Sequence, residues 1–150
     1  MTNNRNSITI LLVEDNIADQ KLTERAFKKS KKTIDLKIVD SGNEAINYLH
    51  QLPPYDNKQL SPIPDIILMD INMPGLDGKQ TLRRIRNSQA IKYIPIIMLT
   101  TSNEERDILD SYKLGANAYI TKPHNIDEFQ NLIGKLEDFW LNYNQFPPKY

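Results

Sequence analysis

Three stretches of this chain are apolar at almost every position: Ile8–Val13 (ITILLV), Ile66–Met69 (IILM) and Ile94–Leu99 (IPIIML). A strand with one wet face alternates apolar and polar residues, whereas an unbroken β-branched run reads as a strand covered on both faces. Two weaker runs, Leu36–Val39 (LKIV) and Ala118–Ile120 (AYI), bring the set to five. Each run is followed by residues at helical spacing. The first such segment carries Ala18, Leu22 and Ala26; the second has Ala45, Ile46 and Leu49 behind Ser41, with Glu44 completing a capping-box pattern. A third carries Leu82 and Ile85, and a fourth Ile108, Leu109 and Tyr112 before Gly115. The fifth presents Ile126, Phe129, Leu132, Ile133, Leu136 and Phe139 at three- and four-residue steps. Strand and helix alternate throughout, which implies right-handed crossovers and an α/β fold, a doubly wound parallel sheet with helices on both faces.

At 150 residues the chain fits one domain. Residues 1–6 are expected to be disordered or extended, residues 7–140 to form the domain, and residues 141–150 to form an aromatic, proline-rich tail. Lys plus Arg number 19 and Asp plus Glu 19, so the net charge is zero and the basic footprint of a nucleic-acid binder is missing. The apolar runs are far shorter than the roughly 20 residues a membrane helix needs. The opening MTNNRNS lacks a signal-peptide core, and there is no cysteine for disulfides or thiolate metal sites. A soluble cytoplasmic protein is the expectation. The stretch Leu52–Pro64, with four prolines, reads as a long loop before the third strand.

Ligands of an open parallel sheet bind beyond the carboxyl ends of its strands. The first run ends in Glu14-Asp15, the third in Asp70, the fourth in Thr100-Thr101-Ser102 and the fifth in Thr121-Lys122-Pro123. Four separate strands therefore deliver three carboxylates, a hydroxyl and an ammonium to one edge. At about 5 Å and an effective dielectric near 20, each carboxylate pair repels by roughly 3 kcal/mol. Such a cluster calls for a cation. Oxygen donors without His or Cys point to a hard ion, and Mg²⁺ suits a site that handles phosphate. One Mg²⁺ and Lys122 would bring the charge of Glu14, Asp15 and Asp70 near zero. A carboxylate beside a metal can attack phosphorus and become an acyl phosphate. The Thr100 hydroxyl would then gain a phosphoryl oxygen to bind that it lacked before, which is what a switch requires.

LLVEDN, ILMDINMPGLDG, IIMLTTS and GANAYITKP, in that order, resemble the receiver domains of two-component response regulators over about residues 7–137. The resemblance implies a flavodoxin-like, five-stranded sheet of strand order 2-1-3-4-5 and phosphoryl transfer from a histidine kinase or phosphotransfer protein. It makes Asp70 the phosphoacceptor, Asp15 a direct metal ligand, Glu14 the second acidic position and Asn72 a ligand through its backbone carbonyl. It makes Thr100 the switch hydroxyl, Lys122 the phosphate-binding lysine, Lys122–Pro123 a cis peptide, and Tyr119 the aromatic whose rotation reports activation. The chain departs from the common pattern at Thr101, where a small Ala is frequent, and in its proline-rich loop and aromatic tail. The last two features resemble small stand-alone regulators of phytochrome-type histidine kinases.

Plainer readings compete at several positions. Glu14, Asp15 or Asn16 could cap the first helix, Thr100 could be a structural strand-end hydroxyl, and Tyr119 fits a packed core. His50 and His124 have no flanking partners and read as solvated, as does the basic run Lys28–Lys32. Gly75–Thr81 (GLDGKQT) lacks the spacing of a phosphate-binding loop and reads as a turn. Phe139, Trp140, Tyr143 and Phe146 continue the last helix's stripe, so they either fold back or meet a second subunit; a homodimer is the expectation. With no output domain expected, the signal would pass through protein–protein contact rather than DNA. A metal-dependent phosphatase is the rival, but such enzymes need a second acid two residues beyond the nucleophile, where this chain has Asn72.

Overall fold

The computed structural model describes residues 7–30 and 33–149. The N-terminal segment 1–6, Lys31 and Lys32 of the basic run, and Tyr150 lie outside the described residues. Five strands, β1 (Ile8–Val13), β2 (Ile34–Val39), β3 (Ile66–Met69), β4 (Ile96–Thr100) and β5 (Ala118–Thr121), alternate with α1 (Ile17–Lys28), α2 (Gly42–Leu49), α3 (Gly78–Arg86), α4 (Glu105–Lys113) and α5 (Ile126–Glu137). All pairings are parallel and the order is β2-β1-β3-β4-β5. The three continuously apolar runs are the three inner strands, and every residue in them is buried.

Alternate side chains of each inner strand leave opposite faces of the sheet. Leu11, Val13, Ile67, Met69, Ile96 and Met98 pack with Ala45 and Leu49 of α2 and Leu82 and Ile85 of α3. Ile10, Leu12, Ile66, Leu68, Ile97 and Leu99 pack on the other face with Phe27 of α1 and Phe129 and Ile133 of α5. Two dry layers thus clamp the sheet and fix its carboxyl edge.

Several local expectations need correction. The capping box expected at Ser41 is half made: its hydroxyl accepts from Glu44 N at 3.1 Å, but the Glu44 carboxylate is taken by the Tyr55 hydroxyl. A complete box forms at α3, where Asp77 and Gln80 cap each other's backbone N–H groups. On α1, Ala18 is exposed because the first turn projects past the sheet, and burial begins at Thr23. On α4, Leu109 and Tyr112 are half exposed and only Ser111 is buried, so this helix lies loosely on the core.

The first residues of the tail extend the last helix, and from Asn144 the chain leaves it. Residues Asp138–Tyr143 continue α5 as a π-helical turn, a wider winding that brings Leu141 into the core. Trp140 and Phe146 pack against the same cluster, while Phe139 and Tyr143 stay exposed. Lys149 reaches back to Asp65 at 3.3 Å. No helix among the described residues is long and apolar enough to cross a membrane.

Candidate functional site

The carboxyl edge of the sheet gathers the residues singled out in the sequence. Glu14 leaves the end of β1 with its backbone N–H donating to Val39 O at 3.1 Å, so the β1–β2 ladder holds it in place. Its side chain is buried, and its Oε1 accepts from Asn16 N at 3.1 Å. Asp15, next along, is exposed. Asn16 caps α1 by accepting from Asp19 N at 3.0 Å, which frees both acids from capping. Asp70 follows β3; its N–H donates to Val13 O at 3.1 Å and its Oδ1 accepts from Ile71 N at 2.8 Å. One oxygen each of Glu14, Asp15 and Asp70 lie within 4.8 Å of one another. Three carboxylates that close, with no His or Cys among them, form a hard-oxygen donor set suited to a divalent cation.

Lys122 is the cationic member. It is buried, and its ammonium stands 2.5 Å from Glu14 Oε2, 3.2 Å from Asp19 Oδ2 and 3.8 Å from Asp70 Oδ2. Burial alone would favour the neutral amine, but Glu14, Asp70 and Asp19 outweigh it and raise the pKa above the ordinary lysine value. Burial acts the other way on Glu14 and pushes its carboxyl up to about 7, despite the opposing hydrogen bond and charge of Lys122. The site is therefore short of positive charge: one ammonium faces several carboxylates.

Thr100 is fully buried at the end of β4, and its Oγ1 accepts weakly from Ser102 N at 3.4 Å. Tyr119 on β5 is half-buried against the core, with its hydroxyl donating to Ser102 O at 2.8 Å. The packing is what the plainer reading of this tyrosine expected, and its hydroxyl also ties it to the β4–α4 loop. Asn72 is exposed in the turn after Asp70. The Lys122–Pro123 peptide is trans, correcting the expected cis bond; among the described residues the cis peptide is Pro53–Pro54. The intrinsic preference at an X–Pro bond is only about 0.5–1 kcal/mol, so a Lys-Pro pair in a sequence does not settle its isomer.

Sequence reasoning missed three contributors. Asp19 lies in the first turn of α1, the helix leaving β1, and that position was the available signal. Gly78 opens α3 directly against the Asp70 loop: a Cβ there would fall 2.1 Å from Asp70 O and 2.8 Å from Ile71 Cα. Its N–H donates to Ile71 O at 2.9 Å, so only glycine permits this approach. Lys79, next in sequence, bridges to α4 through Asp107 at 2.6 Å and Asp110 at 3.0 Å. The other Asp107 oxygen accepts the Ser102 hydroxyl at 2.6 Å, which ties α3 to the loop beside Thr100.

A family model described as the response regulator receiver domain matches residues 10–134. Response regulator Rcp1 of Synechocystis sp. is 38% identical over 138 residues, covering 92% of both chains. The crystal structure of the phosphorylated cyanobacterial phytochrome response regulator RcpA superposes with a TM-score of 0.89 at 38% identity, covering 95% of this chain and 99% of that one. The Mn²⁺-bound form of Rcp1 gives a TM-score of 0.87 at 38% identity, over 94% and 99% of the two chains.

Proposed function

This chain belongs to the response regulator receiver domain family, and from that premise we propose that Asp70 accepts the phosphoryl group that switches it. The observation that carries the reading is the convergence of Glu14, Asp15 and Asp70 within 4.8 Å, beside a buried lysine. Asp15, Asp70 and Glu14 would hold Mg²⁺, with the Asn72 backbone carbonyl as a further ligand. The bound ion supplies charge neutralisation at the equatorial phosphoryl oxygens.

The chain's own residues do the rest. The Asp70 carboxylate oxygen bonds to phosphorus as the bond from phosphorus to the kinase imidazole breaks. The hydrogen bond from Ile71 N to Oδ1 fixes the rotamer of that carboxylate. Lys122 leaves Glu14 for the phosphoryl group, exchanging one anion for a stronger one. The Thr100 hydroxyl turns to the new oxygen, Ser102 and its loop follow, and the Tyr119 hydroxyl gives up its bond to Ser102 O. The α4 face, where Leu109 and Tyr112 are exposed, would change as a result.

The donor in this reading is a histidine kinase of phytochrome type, supported by the likeness to RcpA and Rcp1. The chain acts in the cytoplasm as a phosphoacceptor and turns over no other substrate. Its output is protein contact, including a homodimer through the exposed Phe139 and Tyr143 flanking Trp140, with Phe146 bracing the tail from within. Incubation with acetyl phosphate and Mg²⁺ followed by peptide mass spectrometry tests the assignment. Label on Asp70 that is absent from Asp70→Asn supports it; label of equal extent in that variant refutes it.

A further inference from the structure

A cleft of about 570 Å³ opens between α3 and α4, away from the carboxylate site. That size lies within the range of about 300–1,000 Å³ typical of ligand pockets. Five cations line it: Lys79, Arg83 and Arg84 from α3, Arg106 and Lys113 from α4. Two acids accompany them, and both are engaged. Asp77 accepts from Gln80 N at 2.8 Å as the α3 cap, and Asp110 accepts from Lys79 at 3.0 Å and Arg106 at 3.3 Å. Arg83, Arg84 and Lys113 are exposed at the cleft. The whole chain has zero net charge, so this excess is a local concentration and not a consequence of composition.

We propose that the α3–α4 cleft docks a carboxylate-rich segment of a protein partner. Guanidinium forks match carboxylates bidentately, and two arginines one residue apart can take successive acids of one segment. Leu76 and Leu114, which also line the cleft, would receive an apolar side chain lying between those acids. A nucleotide is the competing polyanion, but the lining contains no aromatic ring on which a base could stack. The inference goes beyond the phosphoryl-acceptor reading and does not depend on it.

The test is an amide-resonance titration of the full, unphosphorylated chain. One probe is a short capped peptide of glutamates interleaved with leucine; the others are its glutamine counterpart and ATP. Saturable shifts at Arg83, Arg84, Arg106 and Lys113 are expected with the acidic peptide. Binding should weaken by about tenfold for the glutamine peptide and for the double variant Arg83→Glu/Arg84→Glu. These two positions are chosen because Lys79 also holds Asp107, and Lys113→Glu provides an independent variant should the double variant fail to fold. Equal shifts with both peptides, shifts scattered away from the cleft, or saturation by ATP with no response to peptide would each overturn the proposal.

Discussion

The Lys122 ammonium stands 2.5 Å from Glu14 Oε2 and 3.8 Å from Asp70 Oδ2, so in the unphosphorylated chain it is paired with the acid that follows β1. Both members of that closer pair are buried. Removing one partner of a buried ion pair leaves the other charge uncompensated, at a cost of about 3–5 kcal/mol. Lys122→Met should lose less than that, about 1–3 kcal/mol at neutral pH in divalent-free buffer, because Glu14, already pushed up to about 7 by burial, can take up a proton. The loss, read by urea denaturation, should grow as pH rises. An unchanged midpoint would mean that Glu14 does not depend on Lys122.

Asp70→Asn should have the opposite sign. It removes one carboxylate from a cluster held short of positive charge, and relief of a single repulsive pair contributes roughly 1–3 kcal/mol. Thermal melts with chelator present should show a higher midpoint for the variant. Added Mg²⁺ should narrow the difference by stabilising the parent chain more. A lower midpoint without metal would contradict the crowded-carboxylate account.

The Asp107 carboxyl is held below the ordinary aspartate range, first by the hydrogen bond from Lys79 and then by that from the Ser102 hydroxyl. A folded-state pKa below the unfolded value of about 4 gives stability that is fully present above that value. The contribution is lost as pH falls through the lower, folded-state value. Asp107→Asn should therefore be about 1–3 kcal/mol less stable at neutral pH, in the range of hydrogen bonds to charged groups. The gap between the two proteins should close in strong acid. Stability curves against pH for both would show it, and a gap independent of pH would contradict it.

Gly78→Ala places a methyl group where Asp70 O already sits. Overpacking of this kind costs typically about 1–3 kcal/mol, and relaxation must move the backbone that carries Asp70. The expected outcome is reduced stability together with slower labelling of Asp70 by acetyl phosphate. Labelling at the parent rate would show that the close approach has no bearing on the acceptor.

Much of this could be read from the chain alone, and the reasons differ by element. Continuous apolar runs mark strands covered on both sides, so β1, β3 and β4 and the site residues at their ends followed from the pattern. The isomer of Lys122–Pro123 did not, because a sub-kcal preference is decided by tertiary surroundings. Asp19 and Lys79 escaped because each acts across 103 and 28 residues of chain respectively, on Lys122 and on Asp107; the place of Asp19 in the first turn of α1 hinted at the site but not at its partner. Gly78 read as turn chemistry, yet its constraint is the Asp70 backbone pressed against it. The aromatic stripe after α5 read as a contact for a second subunit, with folding back as the alternative. The π-helical turn divides it, sending Trp140 inward and Tyr143 outward.

Paramagnetic broadening by substoichiometric Mn²⁺ addresses the convergence of carboxylates most directly. The amide resonances of Asp15, Asp70 and Asn72 should vanish first in the parent chain, and Asp15→Asn should abolish the effect there. Broadening centred elsewhere, or unchanged by Asp15→Asn, would show that these residues do not form one cation site.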